Sequence, residues 1–183
     1  METHDEIDVA LAVGAPDGSL TVETIHLEIE IEDRLEPICL ALPGGERFLD
    51  AIREHVGLTV ETHIFEHDKD HPLTGPISGR KTIRLVGHRC REVTVEVRYD
   101  QHVKHHKVAP ARTVFKVLQW AIGKHGFDLD PLAAAKANLI LPGADAPLPR
   151  EAAIGKFAPA GHCTLVVDLT LQDFTNGAPA TGR

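Results

Sequence analysis

The chain alternates between two hydrophobic periods. In IHLEIEIED (25–33), Leu27, Ile29 and Ile31 stand against Glu28, Glu30 and Glu32, the period of two of a half-buried strand. PICLALP (37–43) supplies its hairpin partner. In GERFLDAIREHVGL (45–58) the period lengthens. Phe48, Leu49, Ile52 and Val56 fall on one helical face, with Arg47, Asp50 and Glu54 outside. ETHIFEHD (61–68) predicts a strand, HPLTGPISGRK a loop and TIRLVGH (82–88) a closing strand.

The second half runs through the same series. REVTVEVRYD (91–100) sets Val93, Val95 and Val97 against Thr94, Glu96 and Arg98, and HVKHHKVAP (102–110) returns beside it. ARTVFKVLQWAIGKHGF (111–127) is helical by spacing, with Thr113 as a cap and Gly126 as a stop. ANLILPGADAPLP (137–149) predicts a short strand and a turn-rich loop. PREAAIGKFAPAGH holds one short helical turn, and HCTLVVDLTLQ (162–172) is the strongest strand of the chain. Pro43 precedes Phe48 as Pro110 precedes Phe115, an offset of 67, and TIRLVG and TLVVDL match in type at an offset of 82. The reading is two copies of one small α+β fold, each a sheet over one helix, with the first and last strands side by side in the sheet centre.

The expected domains are 24–90 and 91–173, abutting at Cys90 and Arg91 with almost no linker. Residues 1–23 fit neither copy and form an N-terminal arm or an extra hairpin turning at Asp17-Gly18. Residues 174–183 form a flexible C-terminal tail.

Composition narrows the function classes. Hydrophobic residues make up 43% and charged residues 25%, ordinary for a globular protein. No apolar run reaches the ~18–20 residues of a membrane helix. The acidic start is unlike a secretory signal, so a cytoplasmic protein is expected. Three widely spaced cysteines, Cys39, Cys90 and Cys163, fit reduced thiols better than a disulfide framework. The net charge of −8 divides unevenly: residues 1–90 carry 18 acidic and 8 basic side chains, residues 91–183 carry 9 and 11. An acidic protein is poorly suited to non-specific nucleic-acid binding, which depends on neutralising phosphates.

Few constellations suggest chemistry. His63, His67 and His71 recur every four residues, but on a strand running into a loop that spacing does not converge on a metal, so a solvated loop is expected. HVKHHK (102–107) reads as a basic, exposed strand face that can meet an acidic partner. His162 and Cys163 point to opposite faces of a strand, so no nucleophile–base pair is expected there. Gly44 and Gly45 open a helix without the Lys and Ser/Thr of a phosphate-binding loop. Trp120 and Phe115 are expected in the core.

The layout resembles ubiquitin-like β-grasp domains, best in the second copy. There ANLILPGADAPLPREAAIGKFAPAGHCTLVVDLTL has the form of ubiquitin's second half: a strand, a loop, a turn placing Ile154, and a final apolar strand. Two such domains in tandem, ending near glycine, resemble the two-domain ubiquitin-like modifiers of bacterial antiphage operons, which parallel an interferon-induced two-domain modifier of animals. The resemblance implies a protein that is conjugated and is not itself an enzyme, with no cofactor or metal. It implies as partners an activating enzyme using ATP, a conjugating enzyme, a JAMM-type peptidase and target proteins. The C-terminal carboxylate is adenylated, passed to a cysteine thiol as a thioester, then to an amine as an amide.

On this reading Gly182 becomes the reactive terminus once Arg183 is removed, with Gly177 the weaker candidate. Glycine suits a terminus that must thread a narrow channel, because it lacks Cβ. No Gly-Gly doublet is present. Val108, Ile140 and Val166 are candidates for the exposed apolar patch that ubiquitin-like domains use for docking. The rival readings are a non-conjugated tandem adaptor and, with less support, a sulfur carrier.

Overall fold

The computed structural model describes residues 24–32, 34, 36–77, 79–172 and 174. The N-terminal arm at 1–23 and nearly all of the tail lie outside the described residues. Two four-stranded mixed sheets follow one another along the chain, each carrying its own helix.

The first unit contains β1 (Thr24–Ile31), β2 (Ile38–Pro43), α1 (Phe48–Val56), β3 (His63–Glu66) and β4 (Thr82–His88), in sheet order β2-β1-β4-β3. The second contains β5 (Val93–Tyr99), β6 (His102–Val108), α2 (Val114–Ile122), α3 (Pro131–Lys136), β7 (Asn138–Ile140), a 3-10 turn (Ile154–Phe157) and β8 (Thr164–Thr170), in order β6-β5-β8-β7. In each unit the first and last strands pair in parallel at the centre, flanked by antiparallel neighbours. This is the ubiquitin-like β-grasp architecture, and the alternation in the sequence accounts for it. Ile25, Leu27 and Ile29 turn inward onto Phe48, Ile52 and Leu85, while Glu30 turns outward, 3.0 Å from the Arg84 guanidinium. Val93, Val95 and Val97 likewise meet Val114, Leu118 and Val167.

Three local features depart from the periodic reading. Helix α2 stops at Ile122, short of Gly126. Gly126 instead lets the chain fold back across the helix end: the Phe127 N–H donates to the Ala121 carbonyl at 2.7 Å, and a Cβ on Gly126 would lie 2.2 Å from that same oxygen. Val114, not Phe115, is the inward counterpart of Phe48; both helices have nine residues, and Phe115 is only half-buried. Helix α3 is additional. Asp130 caps it, its Oδ1 accepting from the N–H groups of Leu132 and Ala133, and Pro131 takes the first turn, where a missing N–H costs nothing.

The cysteines correct the expectation of free thiols. Cys90 and Cys163 form a disulfide. Each precedes one of the two parallel central strands of the second sheet, and Thr94 is registered with Thr164. That pairing brings both residues to the same end of the sheet, with Cα atoms 5.7 Å apart. Cys39 is free and exposed.

Candidate functional site

The two units are joined through the loop after β3, which the sequence reading had assigned to solvent. Phe65 and Val86 lie opposite each other on the outward face of the first sheet, yet are 0% and 3% exposed. Ala109, Ala111 and Ala153 of the second unit pack over them. Small side chains let the backbone of one unit approach the sheet of the other closely enough to exclude water from an aromatic ring.

Asp68 connects this apolar contact to a polar one. Its N–H donates to the Ala111 carbonyl at 2.8 Å, and its own carbonyl accepts from Arg112 Nη1 at 3.2 Å. Its carboxylate accepts from the Thr113 hydroxyl at 3.3 Å, while the Thr113 oxygen accepts the Lys116 N–H and so caps α2. Asp68 holds a left-handed backbone, φ 61°, which aspartate tolerates better than most residues. Arg112 then grips Asp70 in a two-pronged pair, Nε to Oδ1 at 2.5 Å and Nη2 to Oδ2 at 2.6 Å. The three histidines of this segment do not converge. His67 Nε2 meets the Glu151 carbonyl at 3.0 Å, the His63 ring contacts Phe65 edge-on, and His71 lines the cleft between the units.

His88 is the buried ionisable group of the junction. The Cys90 N–H donates to its Nδ1 at 2.9 Å, so the neutral ring carries its proton on Nε2. That nitrogen lies 3.3 Å from Glu32 Oε2 without well-directed hydrogen-bond geometry. Burial lowers the His88 pKa, against the pull of Glu32. Gly155 seats the second unit on this ring: a Cβ there would lie 3.0 Å from His88 Cδ2 and 2.5 Å from Pro110 Cβ.

At the far end of the second sheet the chain leaves β8, and the Asn138 side-chain amide donates to the Gln172 carbonyl at 3.3 Å. The outward face beside it carries half-buried Ile140 and Val166. Val166, Pro142, Phe157 and Pro159 line an open apolar groove of about 460 Å³. Val108 does not belong to that surface. It is registered with Val93, faces inward, and is 9% exposed within the core. Across the same face Arg98 hydrogen-bonds Glu96 at 2.7 Å and holds its carboxyl below the usual range; His105 adds to the effect. Gly177, Gly182 and Arg183 lie outside the described residues. Among the described residues no group of three metal-ligating side chains converges. No helix of the described chain is long and apolar enough to cross a membrane.

Residues 94–172 match the family described as BilA ubiquitin-like domain 2. The match covers the second unit from the start of β5 past the end of β8. No curated protein matches the chain. Fold and family match together define a ubiquitin-like domain protein of bacterial type.

The interunit clamp was not foreseen, because Asp68, Arg112 and Thr113 are ordinary surface residues when read one at a time. Their one sequence signal is the repeat itself: the loop after β3 opens on the densely charged HDKDH, whereas LPGADAPLP after β7 carries the single charge of Asp145.

Proposed function

We propose that the chain is a protein modifier, processed to Gly182 and joined through that residue to amines of target proteins. The observation that carries this reading is the second unit: a ubiquitin-like domain matched over 94–172, whose last strand leads directly into the segment bearing Gly182. The place of departure supports it. The units meet at the end of the second sheet where β5 begins, and the chain leaves β8 seven residues further along, about 20 Å away. The end of β8 at Thr170 therefore lies away from the junction, where a partner's active site can approach.

The chain supplies the acyl group and its own side chains catalyse nothing. An activating enzyme consumes ATP to adenylate the carboxylate, a conjugating enzyme carries the thioester, and a JAMM-type peptidase trims Arg183. The expected setting is the bacterial cytoplasm, in defence against phage.

The test combines the full chain with activating and conjugating enzymes of its host and ATP, then maps branched peptides by mass spectrometry. The expected product is Gly182 in amide linkage to a lysine. Unchanged conjugation after deletion of 178–183 rejects Gly182. Stable partner binding without any covalent adduct supports a tandem adaptor instead.

A further inference from the structure

Two clefts at the junction, of about 490 and 430 Å³, share His71 and Arg91 and so form one trough running between the units. Its floor includes Val108 and Ala109, both buried, and its rim is basic. The cations are not equivalent. Arg112 is committed to Asp70, and Arg53 Nη1 donates to the carbonyls of Thr59 and Thr62. Arg91 and Lys107 are exposed, and their side chains have no ion-pair or hydrogen-bond partner among the described residues. With Asp70 neutralised by Arg112, Glu92 is, among the described residues, the one uncompensated acid lining either cleft. One wall is fixed: His106 lies flat on Trp120, ring centroids 4.3 Å apart.

The trough opens onto β6, an edge strand that pairs with β5 alone among the described residues. Its outer N–H and C=O groups face away from the sheet, which is a template for an added strand. Five of its seven residues, HVKHHKV, are lysine or histidine, and none is acidic. An unpaired edge, an apolar floor and two uncommitted cations together select an extended chain carrying carboxylates. A nucleic acid fits less well. The acidic first unit repels a long polyanion, and two free cations neutralise few phosphates.

We propose that the interunit trough and the edge of β6 bind an extended, Asp/Glu-rich segment of a partner protein, with Arg91 and Lys107 meeting its carboxylates. The site lies at the end of the second sheet opposite the departure of the chain from β8. Its occupant and the C-terminal segment can therefore be engaged at the same time. The proposal stands whether or not the chain is conjugated.

The probe is a fluorescein-labelled decapeptide in which four glutamates alternate with valines, titrated with the full chain and followed by anisotropy. Binding is expected to weaken between 50 and 300 mM salt. The double variant Arg91→Glu/Lys107→Glu is expected to lose at least tenfold in affinity. Lys124→Glu/Lys136→Glu, with the same change in net charge on exposed positions elsewhere, is expected to change it less than twofold. Carbodiimide coupling of the bound peptide should mark Lys107 above all other lysines. Equal losses in the two double variants, or cross-links scattered over the surface, would overturn the proposal. So would competition by a ten-nucleotide oligothymidine at the same concentration as unlabelled peptide.

Discussion

Phe65 and Ile140 hold the same position in the two units. Each forms an isolated bridge to a proline in the loop that follows, Pro72 for Phe65 and Pro147 for Ile140. Each also lies on the outward face of its sheet beside the closing strand. Phe65 is completely buried and Ile140 is not, because the second unit covers the first unit's face and leaves its own uncovered.

The two positions should therefore respond differently to truncation. Phe65→Ala removes a ring from a sealed contact and is expected to cost about 3–5 kcal/mol. Ile140→Ala is expected to cost less, about 1–2 kcal/mol, because the side chain is only half-buried and its loss opens onto solvent and leaves no sealed cavity. Urea denaturation of the two variants measures the contrast. Equal costs would mean that the units do not pack through Phe65.

Gly155→Ala probes the same contact from the other side. The new methyl group would overlap Pro110 Cβ and crowd His88. Neither a proline ring nor a buried imidazole can swing away, so the change should cost about 1–3 kcal/mol. A neutral effect in thermal denaturation would show that the junction yields.

His88 should make the fold sensitive to mild acid. Its unfolded ring takes up a proton near 6.5, whereas burial holds the folded ring's pKa lower. The unfolded state then binds more protons in that window. Stability is full above about pH 6.5 and falls as the pH drops toward the folded value. Protonation would also turn Nδ1 from an acceptor into a donor facing the Cys90 N–H. Glu32 opposes this loss, Arg89 reinforces it, and His63 is registered opposite in β3. His106, lowered by burial and by Arg112, adds to the same slope. His88→Gln should flatten the dependence between pH 7 and 5 without abolishing it. An unchanged slope, read from urea midpoints, would remove His88 from this role.

The Cys90–Cys163 bridge closes a loop with a sequence separation of 73. Loop-closure entropy for that length gives about 4 kcal/mol, with about 2–4 typical in practice. Reduction, or Cys90→Ser/Cys163→Ser in a Cys39→Ser background, should lower the urea midpoint accordingly. Maleimide labelling of the unreduced, denatured chain should modify Cys39 alone. Modification of all three cysteines would show the bridge to be open.

Much of this was legible from residue order. Alternation at 25–31 and 93–97 placed the central strands, and the repeat of the series placed two β-grasp units. These patterns are local: a strand with one wet face must alternate whatever lies beyond it. Two misreadings and one omission share a cause. Val108 looked available for docking and Cys90 and Cys163 looked independent, while the segment 63–71, exposed at Lys69, Asp70 and His71 as expected, gave no sign of its contact with the second unit. Each depends on residues far away in sequence. Val108 is turned inward by its register with Val93. The loop is occupied by Arg112 and Thr113. The cysteines meet because two strands run in parallel.

The sequence by itself determined two sheets, each over a helix, because hydrophobic period is a property of neighbouring residues. The tertiary structure alone decided which outward face became interior. Both faces carry an apolar residue at the Phe65 and Ile140 position, and local pattern does not distinguish them. The difference arises where Ala109, Ala111 and Ala153 come to rest on one of them, held there by the pairing of Arg112 with Asp70.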